Sequence, residues 1–258
     1  MLEVSPLDFR FSLDNESKIA KSISLKNTGE EPISVRLTVE PSPGLENSAY
    51  GRISEWITFS EPEFILLPGE SKNIFFTISI PDTRPAGGQY ATIFAETVPA
   101  SSENKNGIDL ITRVGIRLCG SSSSDIHRNF SAQPPRIPTI LVGKNLSADI
   151  TVQNSGNIDF STTTFFSVSS IFGKQLYSSQ TSTELLPDTT KEIYNEWGET
   201  PALGIYRLDY SMQALDTSVS ASRLVFVISP LFTILLCALI LSSVILALAR
   251  LAKRRTTH

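Results

Sequence analysis

The sequence predicts an all-β protein in which two antiparallel β-sandwiches follow one another and are followed by a single apolar helix. Three observations support this prediction. Short runs alternate apolar with polar residues between turn residues, which is the period-two pattern of half-buried strands. The same turn motifs recur, in the same order, in both halves of the chain. An uncharged run of helix length lies close to the last residue.

The strand prediction comes from three clear alternating runs. Residues 33–39 alternate Ile, Val, Leu and Val with polar side chains, and residues 74–80 repeat the pattern. The run from Leu110 to Leu118 does the same, with Arg113 and Arg117 on its opposite face. Runs of this length, separated by Gly, Pro, Asn and Ser turns and with no helical period between them, are typical of an antiparallel sandwich.

The two halves share three short motifs at an offset of roughly 120 residues, which is too long for a solenoid repeat and indicates duplicated domains. The matching pairs are Asn27-Thr28-Gly29 with Asn154-Ser155-Gly156, Leu66-Leu67-Pro68-Gly69 with Leu185-Leu186-Pro187-Asp188, and Gly88-Gln89-Tyr90 with Gly204-Ile205-Tyr206.

Each motif has a structural explanation. The Asn-x-Gly segment ends a strand with residues that tolerate a left-handed backbone, and Pro68-Gly69 favours a type II turn. Asp188 stands where the first half has Gly69, which favours a type I turn in the second half. In Gly-x-Tyr, the tyrosine hydroxyl is expected to pin a sheet corner. All three motifs are therefore interpreted as determinants of the fold.

The motifs and composition predict the following division of the chain. Residues 1–120 form a first immunoglobulin-like domain, 121–138 a Ser- and Pro-rich linker with an entry strand, 139–228 a second, membrane-proximal immunoglobulin-like domain, 229–249 a transmembrane helix and 250–258 a basic tail. The predicted fold class is thus two tandem immunoglobulin-like antiparallel β-sandwiches followed by one C-terminal transmembrane α-helix.

The helix prediction is based on the run from Pro230 to Ala249, whose length matches the ~20 apolar residues of a membrane span. Its basic flank consists of Arg250, Lys253, Arg254 and Arg255. Because Lys and Arg beside a span stay in the cytoplasm, we expect a single-pass cell-membrane protein with extracellular N-terminal domains and a cytoplasmic C-terminus.

The start of the chain leaves an alternative open. Met1-Leu2-Glu3-Val4-Ser5-Pro6 has none of the features of a secretory signal peptide, so that signal is expected to be missing from this chain. The alternative is a tail-anchored protein whose domains remain in the cytosol, which the basic flank opposes.

Charge and residue chemistry exclude several classes of function. The chain has a formal net charge of −4, and the part before the four basic flanking residues is more acidic still, which argues against nucleic acid as a partner. Cys119 and Cys237 lie too far apart in the predicted architecture to form a disulfide. The only histidines, His127 and His258, have no identifiable catalytic or metal-ligating partners. We therefore expect no enzyme activity, no cofactor, no metal and no small-molecule substrate.

Two aromatic residues are candidates for binding. Trp56, and Phe75, which is out of phase with its strand, could line a sugar- or protein-binding face. Packing in the core or in a loop is the alternative for both.

In the order of its motifs, the chain resembles the WxL-interacting proteins of Gram-positive bacteria. The resemblance rests on Ser5-Pro6, Leu25-Lys-Asn-Thr-Gly29, Leu67-Pro-Gly-Glu70, Ala86-Gly-Gly-Gln-Tyr-Ala91, Val152-Gln-Asn-Ser-Gly156, Leu185-Leu-Pro187 and Ala202-Leu-Gly-Ile-Tyr206, followed by the span and basic tail. It implies a membrane-anchored bacterial cell-surface protein whose first domain binds cell-wall peptidoglycan and which binds envelope surface proteins.

Two alternatives to this function remain. Tandem immunoglobulin-like domains with these turns also resemble periplasmic pilus chaperones, which lend a strand to an incoming subunit. A purely structural surface stalk is the third possibility.

Overall fold

The computed structural model describes residues 1–98 and 111–255, without the side chains of Val98, Leu236 and residues 246–255. The chain divides into two compact units. The first contains Met1–Ser131, Gln153–Asp159 and Leu185–Thr189, and the second contains Ala132–Val152, Phe160–Glu184 and the chain from Thr190 onward. The predominance of strands confirms the predicted β class.

Up to Ser121, the described residues of the first unit form nine strands and one 3-10 helix, Ala49–Trp56. The strands are β1 (Leu2–Ser5), β2 (Asp8–Ser12), β3 (Lys18–Asn27), β4 (Ile33–Pro41), β5 (Ile57–Phe59), β6 (Glu63–Leu66), β7 (Ser71–Ser79), β8 (Gly88–Val98) and β9 (Arg113–Ser121). They form two sheets, ordered β1-β3-β7-β5 and β2-β9-β8-β4-β6.

One apolar core joins the two sheets of the first unit. Ile23 and Phe76 contribute from the first sheet and Val35, Ile93 and Ile116 from the second, all at most 1% exposed. The alternating runs recognised in the sequence fall on β4, β7 and β9, except for Leu110, which lies outside the described residues. Their alternate apolar residues, among them Val35, Ile74, Phe76 and Ile116, are buried in this core. Burial of one face therefore fixes the register of these strands.

The later part of the chain continues with eight strands. These are β10 (Phe130–Ala132), β11 (Ile140–Val142), β12 (Leu146–Asn154), β13 (Phe160–Ser170), β14 (Gln175–Leu185), β15 (Thr190–Trp197), β16 (Gly204–Ala214) and β17 (Thr217–Ile228). Their two sheets have the orders β10-β12-β15 and β11-β17-β16-β13-β14. Phe166, Leu208, Tyr210 and Val225 are among their fully or almost fully buried residues.

The Asn-x-Gly motif of the first half acts as a hydrogen-bonded clamp. The Asn27 side chain is fully buried, and its Nδ2 donates to the backbone oxygens of Glu31 (2.7 Å) and Leu66 (3.1 Å). Its Oδ1 accepts from the backbone N–H of Gly29 at 2.9 Å. One side chain thus satisfies three backbone groups at the end of β3.

The second half repeats this clamp bond for bond. Asn154 is fully buried, and its Nδ2 donates to the backbone oxygens of Ile158 (2.9 Å) and Leu185 (3.1 Å). Its Oδ1 accepts from the N–H of Gly156 at 2.9 Å. The duplicated motif therefore corresponds to a duplicated hydrogen-bonding arrangement.

The two Leu-Pro turns are more alike than the sequence indicated. Gly69 has φ +76° and Asp188 has φ +57°, so both adopt the left-handed backbone. Each turn also closes with an N–H to C=O bond across three residues, from Glu70 to Leu67 and from Thr189 to Leu186. The type I turn predicted at Asp188 is therefore wrong, because aspartate tolerates the left-handed region better than most residues with a side chain.

The serine run after β9 is held by Asp14. Ser122 donates from its hydroxyl and Ser123 from its backbone N–H to the two carboxylate oxygens, both at 2.8 Å. These hydrogen bonds, that of Ser122 first, lower the pKa of Asp14 to about 2. The start of the predicted Ser- and Pro-rich linker is thus held by one distant carboxylate.

Helix α1 (Pro230–Arg255) begins where the sequence indicated, with the Phe232 N–H donating to the Ser229 hydroxyl at 3.2 Å. Over the described part of the chain, however, no helix combines the length and apolar character that crossing a membrane requires. The predictions of a transmembrane helix from Pro230 to Ala249 and of a single-pass membrane protein are therefore wrong.

Candidate functional site

The candidate site is the half of β9 that has a neighbouring strand on only one side. Strand β8 pairs with β9 along its whole length, from Gly88 opposite Ser121 to Glu96 opposite Arg113. On the other side, β2 runs parallel to β9 but covers only Arg117 to Ser121. Within the described residues, no strand lies beside the first part of β9 on this second side.

The direction of the backbone groups shows which residues are available there. Thr97 donates to the Thr112 oxygen on the β8 side, whereas Arg117 donates to Leu7 on the β2 side. Because successive residues of a strand point their backbone groups to opposite edges, Arg113 and Gly115 point away from β8. Their N–H and C=O groups form a short open edge, which we call the β9 edge.

The side chains of the β9 edge follow the two faces of the sheet. Val114 points inward and is only partly buried against the core, next to the fully buried Ile116. On the outer face Ile111 is 61% exposed, and Gly115 has no side chain to cover its own backbone. An added strand would therefore find both backbone partners and an accessible apolar side chain.

Arg113 occupies the outer face beside this edge. Its guanidinium carbon lies 3.5 Å from the centre of the Phe94 ring, and its nitrogens form ion pairs with Glu40 and Glu96. Gly115 leaves room for the Phe94 ring, since a Cβ there would lie 3.3 Å from it. These contacts hold the Arg113 side chain on the sheet face, away from the backbone groups of the edge.

Another sheet edge provides a contrast. Strand β14 is the outermost strand of its sheet and is longer than the β9 edge, but its sequence QLYSSQTSTEL is predominantly polar. Polar and short edges are how proteins avoid unwanted strand pairing. Strand β14 therefore offers an added strand less apolar surface than the β9 edge.

A second, polar cluster surrounds Tyr90 in the first unit. The Tyr90 hydroxyl donates to Oδ1 of Asp159 and accepts from its backbone N–H, both at 2.8 Å. Arg10 donates to the other carboxylate oxygen at 3.2 Å. Burial above all, together with the Asp159 charge, raises the pKa of Tyr90, so its hydroxyl remains protonated. This cluster, beside a cavity of about 270 Å³ that Cys119 and Arg128 also line, fixes the segment around Asp159.

The structure does not bring the predicted site residues together. Trp56 ends the 3-10 helix and packs against the core, while Phe75 lies on the outer face of β7 and is 62% exposed. A binding role for either residue stays a prediction. Pro230 begins α1. The same helix contains Ala249, Arg250, Lys253, Arg254 and Arg255, but their side chains are not among the described residues.

Sequence reasoning found β9 but missed the β9 edge. The alternation from Leu110 to Leu118 identified the strand, yet nothing local shows that β2 covers only its second half. The Arg10, Tyr90 and Asp159 cluster was also missed, since its members are up to 149 residues apart. Among the described residues, no group of three or more His, Cys, Asp or Glu side chains is placed to hold a metal ion.

Comparison with known proteins gives matches only among solved structures. No family model and no curated protein match the chain. Matching structures include the periplasmic chaperone SfaE (10% identity, 88% of this chain and 100% of that chain, TM-score 0.45). The Salmonella enterica SafA pilin–SafB chaperone complex matches at 12% identity over 88% and 96%, with a TM-score of 0.46. The CsuC–CsuE chaperone–tip adhesion subunit complex of Acinetobacter baumannii matches at 14% over 89% and 99%, also at 0.46.

These findings correct several predictions. The predicted resemblance to WxL-interacting proteins is wrong, because the matching structures are pilus chaperones, a different family. The predicted cell-wall polymer partner, membrane partner and cell-surface localisation are wrong as well, since the matches include periplasmic chaperones and pilus-subunit complexes and no described helix can cross a membrane.

Proposed function

We propose that the chain is a pilus-type chaperone, a non-enzymatic protein that receives an extended segment of a subunit at the β9 edge. The observation that supports this most is the pair of outward-pointing backbones at Arg113 and Gly115, with the partly buried Val114 between them. Two of the matching structures are complexes with a pilin and with a tip adhesion subunit, and the proposal assigns the same class of partner to this chain.

The proposal includes the architecture and a division of roles. Each half of the chain is an immunoglobulin-like sandwich, residues 1–120 carry the subunit contact, and residues 139–228 position it. The supporting facts are the two sheets around one core in the first unit and the location of the β9 edge within it.

Strand addition is the binding mode that suits the β9 edge. A strand laid beside Arg113 and Gly115 gains main-chain hydrogen bonds, each of which contributes roughly 0.5–1.5 kcal/mol net. Alternate apolar side chains of the same strand could pack on Val114, because side chains alternate between the two faces of a sheet. The segment recognised would therefore be extended and would alternate apolar with polar residues.

The test compares Gly115→Pro with Gly115→Ala. Proline removes the outward N–H and leaves the ladder to β8 intact, because the backbone of residue 115 points away from β8. Alanine adds the same crowding, with its Cβ 3.2 Å from the Thr92 methyl, but keeps the N–H. A pilus-type subunit from the same organism, refolded from denaturant with one equivalent of the chain, should form a one-to-one complex with wild type and Gly115→Ala.

Gly115→Pro should reduce capture by at least about 10-fold, the equivalent of ~1.4 kcal/mol. In the wild-type complex, hydrogen exchange should slow at the amides of Arg113 and Gly115 and stay unchanged in β14. Equal capture by the proline and alanine variants, or protection of β14 instead, would contradict the proposed site. Failure of wild type to capture any such subunit would contradict the proposed function.

A further inference from the structure

Helix α1 exposes an unusually large apolar surface. Its described residues include nine large apolar side chains that are 45 to 74% exposed, namely Leu231, Phe232, Ile234, Leu235, Leu239, Ile240, Leu241, Val244 and Ile245. A helix that is apolar on all sides is normally buried against something. A covering surface is therefore needed for α1.

The sheet that leads into α1 has a second exposed apolar patch. Phe226 of β17 lies between Ile140 of β11 and Ile205 of β16 in the strand register, so the three side chains share one face. Leu224 and Val142 extend the patch on this face, and the five residues are 40 to 60% exposed. We call these five residues the β17 patch.

The patch and the helix form a continuous surface. Val142 pairs with Ile228, one residue before Ser229 and the start of α1. A Cβ on Gly143 would lie 2.6 Å from the Pro230 ring, so the end of the patch touches the first turn of the helix. A molecule bound to the β17 patch can thus also contact α1.

The polar side chains of this surface are already satisfied. The hydroxyls of Thr233, Ser242 and Ser243 donate to the backbone oxygens of Ser229, Leu239 and Ile240, at 3.1, 2.8 and 2.7 Å. The described part of α1 up to Ile245 carries no charged residue. The surface therefore needs no complementary charge or hydrogen-bonding partner from the molecule that covers it. An identical apolar surface on a second copy meets this condition.

The exposed area is also sufficient for a dimer. Burial of one large apolar side chain removes roughly 60–120 Å² from water. At the observed exposed fractions, α1 and the β17 patch together expose roughly 700 Å². The helix side chains point to all sides, so a second copy packed on one side of α1 and on the patch would cover roughly 450 Å² per partner, which is the small interface of a weak dimer.

We propose that α1 and the β17 patch form a self-association interface that takes a second copy of this chain. Two copies related by a twofold axis would pack helix on helix, with the same apolar surface on both sides. This interface is separate from the β9 edge, so it neither requires nor excludes the proposed chaperone function.

The first test is the mass of the full chain in detergent-free buffer, measured across a range of concentrations by analytical ultracentrifugation. Wild type should be a dimer that dissociates on dilution. The double variant Leu235→Glu/Leu239→Glu places two charges on one helix face and should raise the dissociation constant at least about 10-fold. Phe172→Glu is the matched control, because Phe172 is 91% exposed but belongs to neither α1 nor the patch; it should leave the dimer unchanged.

The second test uses the exposed thiol of Cys237 on α1, while Cys119 is buried. If two helices pair, the oxidant diamide should convert two Cys237 thiols into one disulfide and take up their two electrons and two protons. The resulting covalent dimer should be lost in Cys237→Ser and strongly reduced in the double variant.

Three outcomes would overturn the proposal. The first is a monomer at every concentration, and the second is an open series of larger species in place of a dimer. The third is recovery of a monomeric wild type with phosphatidylcholine vesicles, which would assign the same surface to lipid. Circular dichroism of each variant checks that its β-structure is retained, so a loss of dimer can be attributed to the interface.

Discussion

The two copies of the duplicated motifs agree at the Asn clamp and differ at the Gly-x-Tyr corner. Asn27 and Asn154 make the same three hydrogen bonds to equivalent backbone groups. Tyr90, in contrast, bonds to a carboxylate 69 residues away, whereas the Tyr206 hydroxyl donates to the backbone oxygen of Leu203, three residues before it.

This difference separates two uses of one motif. In both corners the tyrosine folds back over the glycine two residues earlier, so that a Cβ there would lie 2.0 Å from the Tyr90 hydroxyl and 2.5 Å from that of Tyr206. The glycine is thus required locally in both copies. Only the first corner takes part in a long-range polar cluster, with Asp159 and Arg10.

The largest effect is expected when either Asn clamp is converted to a carboxylate. Asn27→Asp and Asn154→Asp retain an acceptor for the glycine N–H but direct a charged oxygen at two backbone oxygens. Leaving a buried charge without a partner costs about 3–5 kcal/mol. Both variants should lose about this much free energy of unfolding, and the two losses should be similar. Urea unfolding followed by Trp56 fluorescence in a Trp197→Phe background measures them.

The equivalence of the two clamps can be tested further with pH and with alanine. Protonation of the new carboxyl restores one donor, so the loss of stability should be smaller at pH 4 than at pH 8. Asn→Ala at either position should cost roughly 1–3 kcal/mol with no such pH dependence. A difference of more than ~1 kcal/mol between the two positions would show that the copies are not energetically equivalent.

The corners should respond unequally to removal of the tyrosine hydroxyl. Tyr90→Phe leaves the Asp159 carboxylate and N–H without this partner, and loss of a bond to a charged group costs about 1.5–3 kcal/mol. Tyr206→Phe removes a single neutral bond of 3.3 Å and should cost roughly 0.5–1 kcal/mol.

Thermal unfolding of both corner variants, together with Tyr90→Phe/Asp159→Asn, measures this difference. The double variant should lose less than the sum of its single changes if the hydroxyl acts through Asp159. Equal losses in Tyr90→Phe and Tyr206→Phe would remove the distinction between the two corners.

The same contrast between local and distant contacts explains what the sequence could predict. Alternation located β4, β7 and β9, and the Asn and Tyr motifs identified real fold determinants, because each depends on neighbours a few residues away. The turn at Asp188 was predicted wrongly, since the sequence shows the side chain but not the backbone conformation that the surrounding fold imposes. Hydropathy likewise located the start of α1 at Pro230 but assigned it to a membrane.

The candidate site could not be predicted because it is a property of sheet order. Trp56 and Phe75 were selected as large aromatic side chains, yet the β9 edge consists mainly of backbone. The β9 edge is open because β2 pairs with β9 only from Arg117 onward. The sequence of β9 itself does not show where that pairing begins.

The smallest effect is expected at the serine run that Asp14 holds, which is a second example of a distant polar contact in the first half. Hydrogen bonds from Ser122 and Ser123 lower the pKa of Asp14 from 3.8 to about 2. Because the folded-state pKa is lowered, the stabilisation is fully present above the ordinary pKa and is lost as the pH falls through about 2. Below that pH the acceptor of the Ser123 amide loses its charge, which weakens the hydrogen bond, and the NMR chemical shift of this amide should follow the same titration. Asp14→Asn should abolish this titration, whereas Asp82→Asn, at another exposed acid of the first unit, should leave it unchanged. A Ser123 amide that does not respond to pH would show that the serine run is ordered without Asp14. This part of the first half would then depend on local contacts, as the Tyr206 corner does.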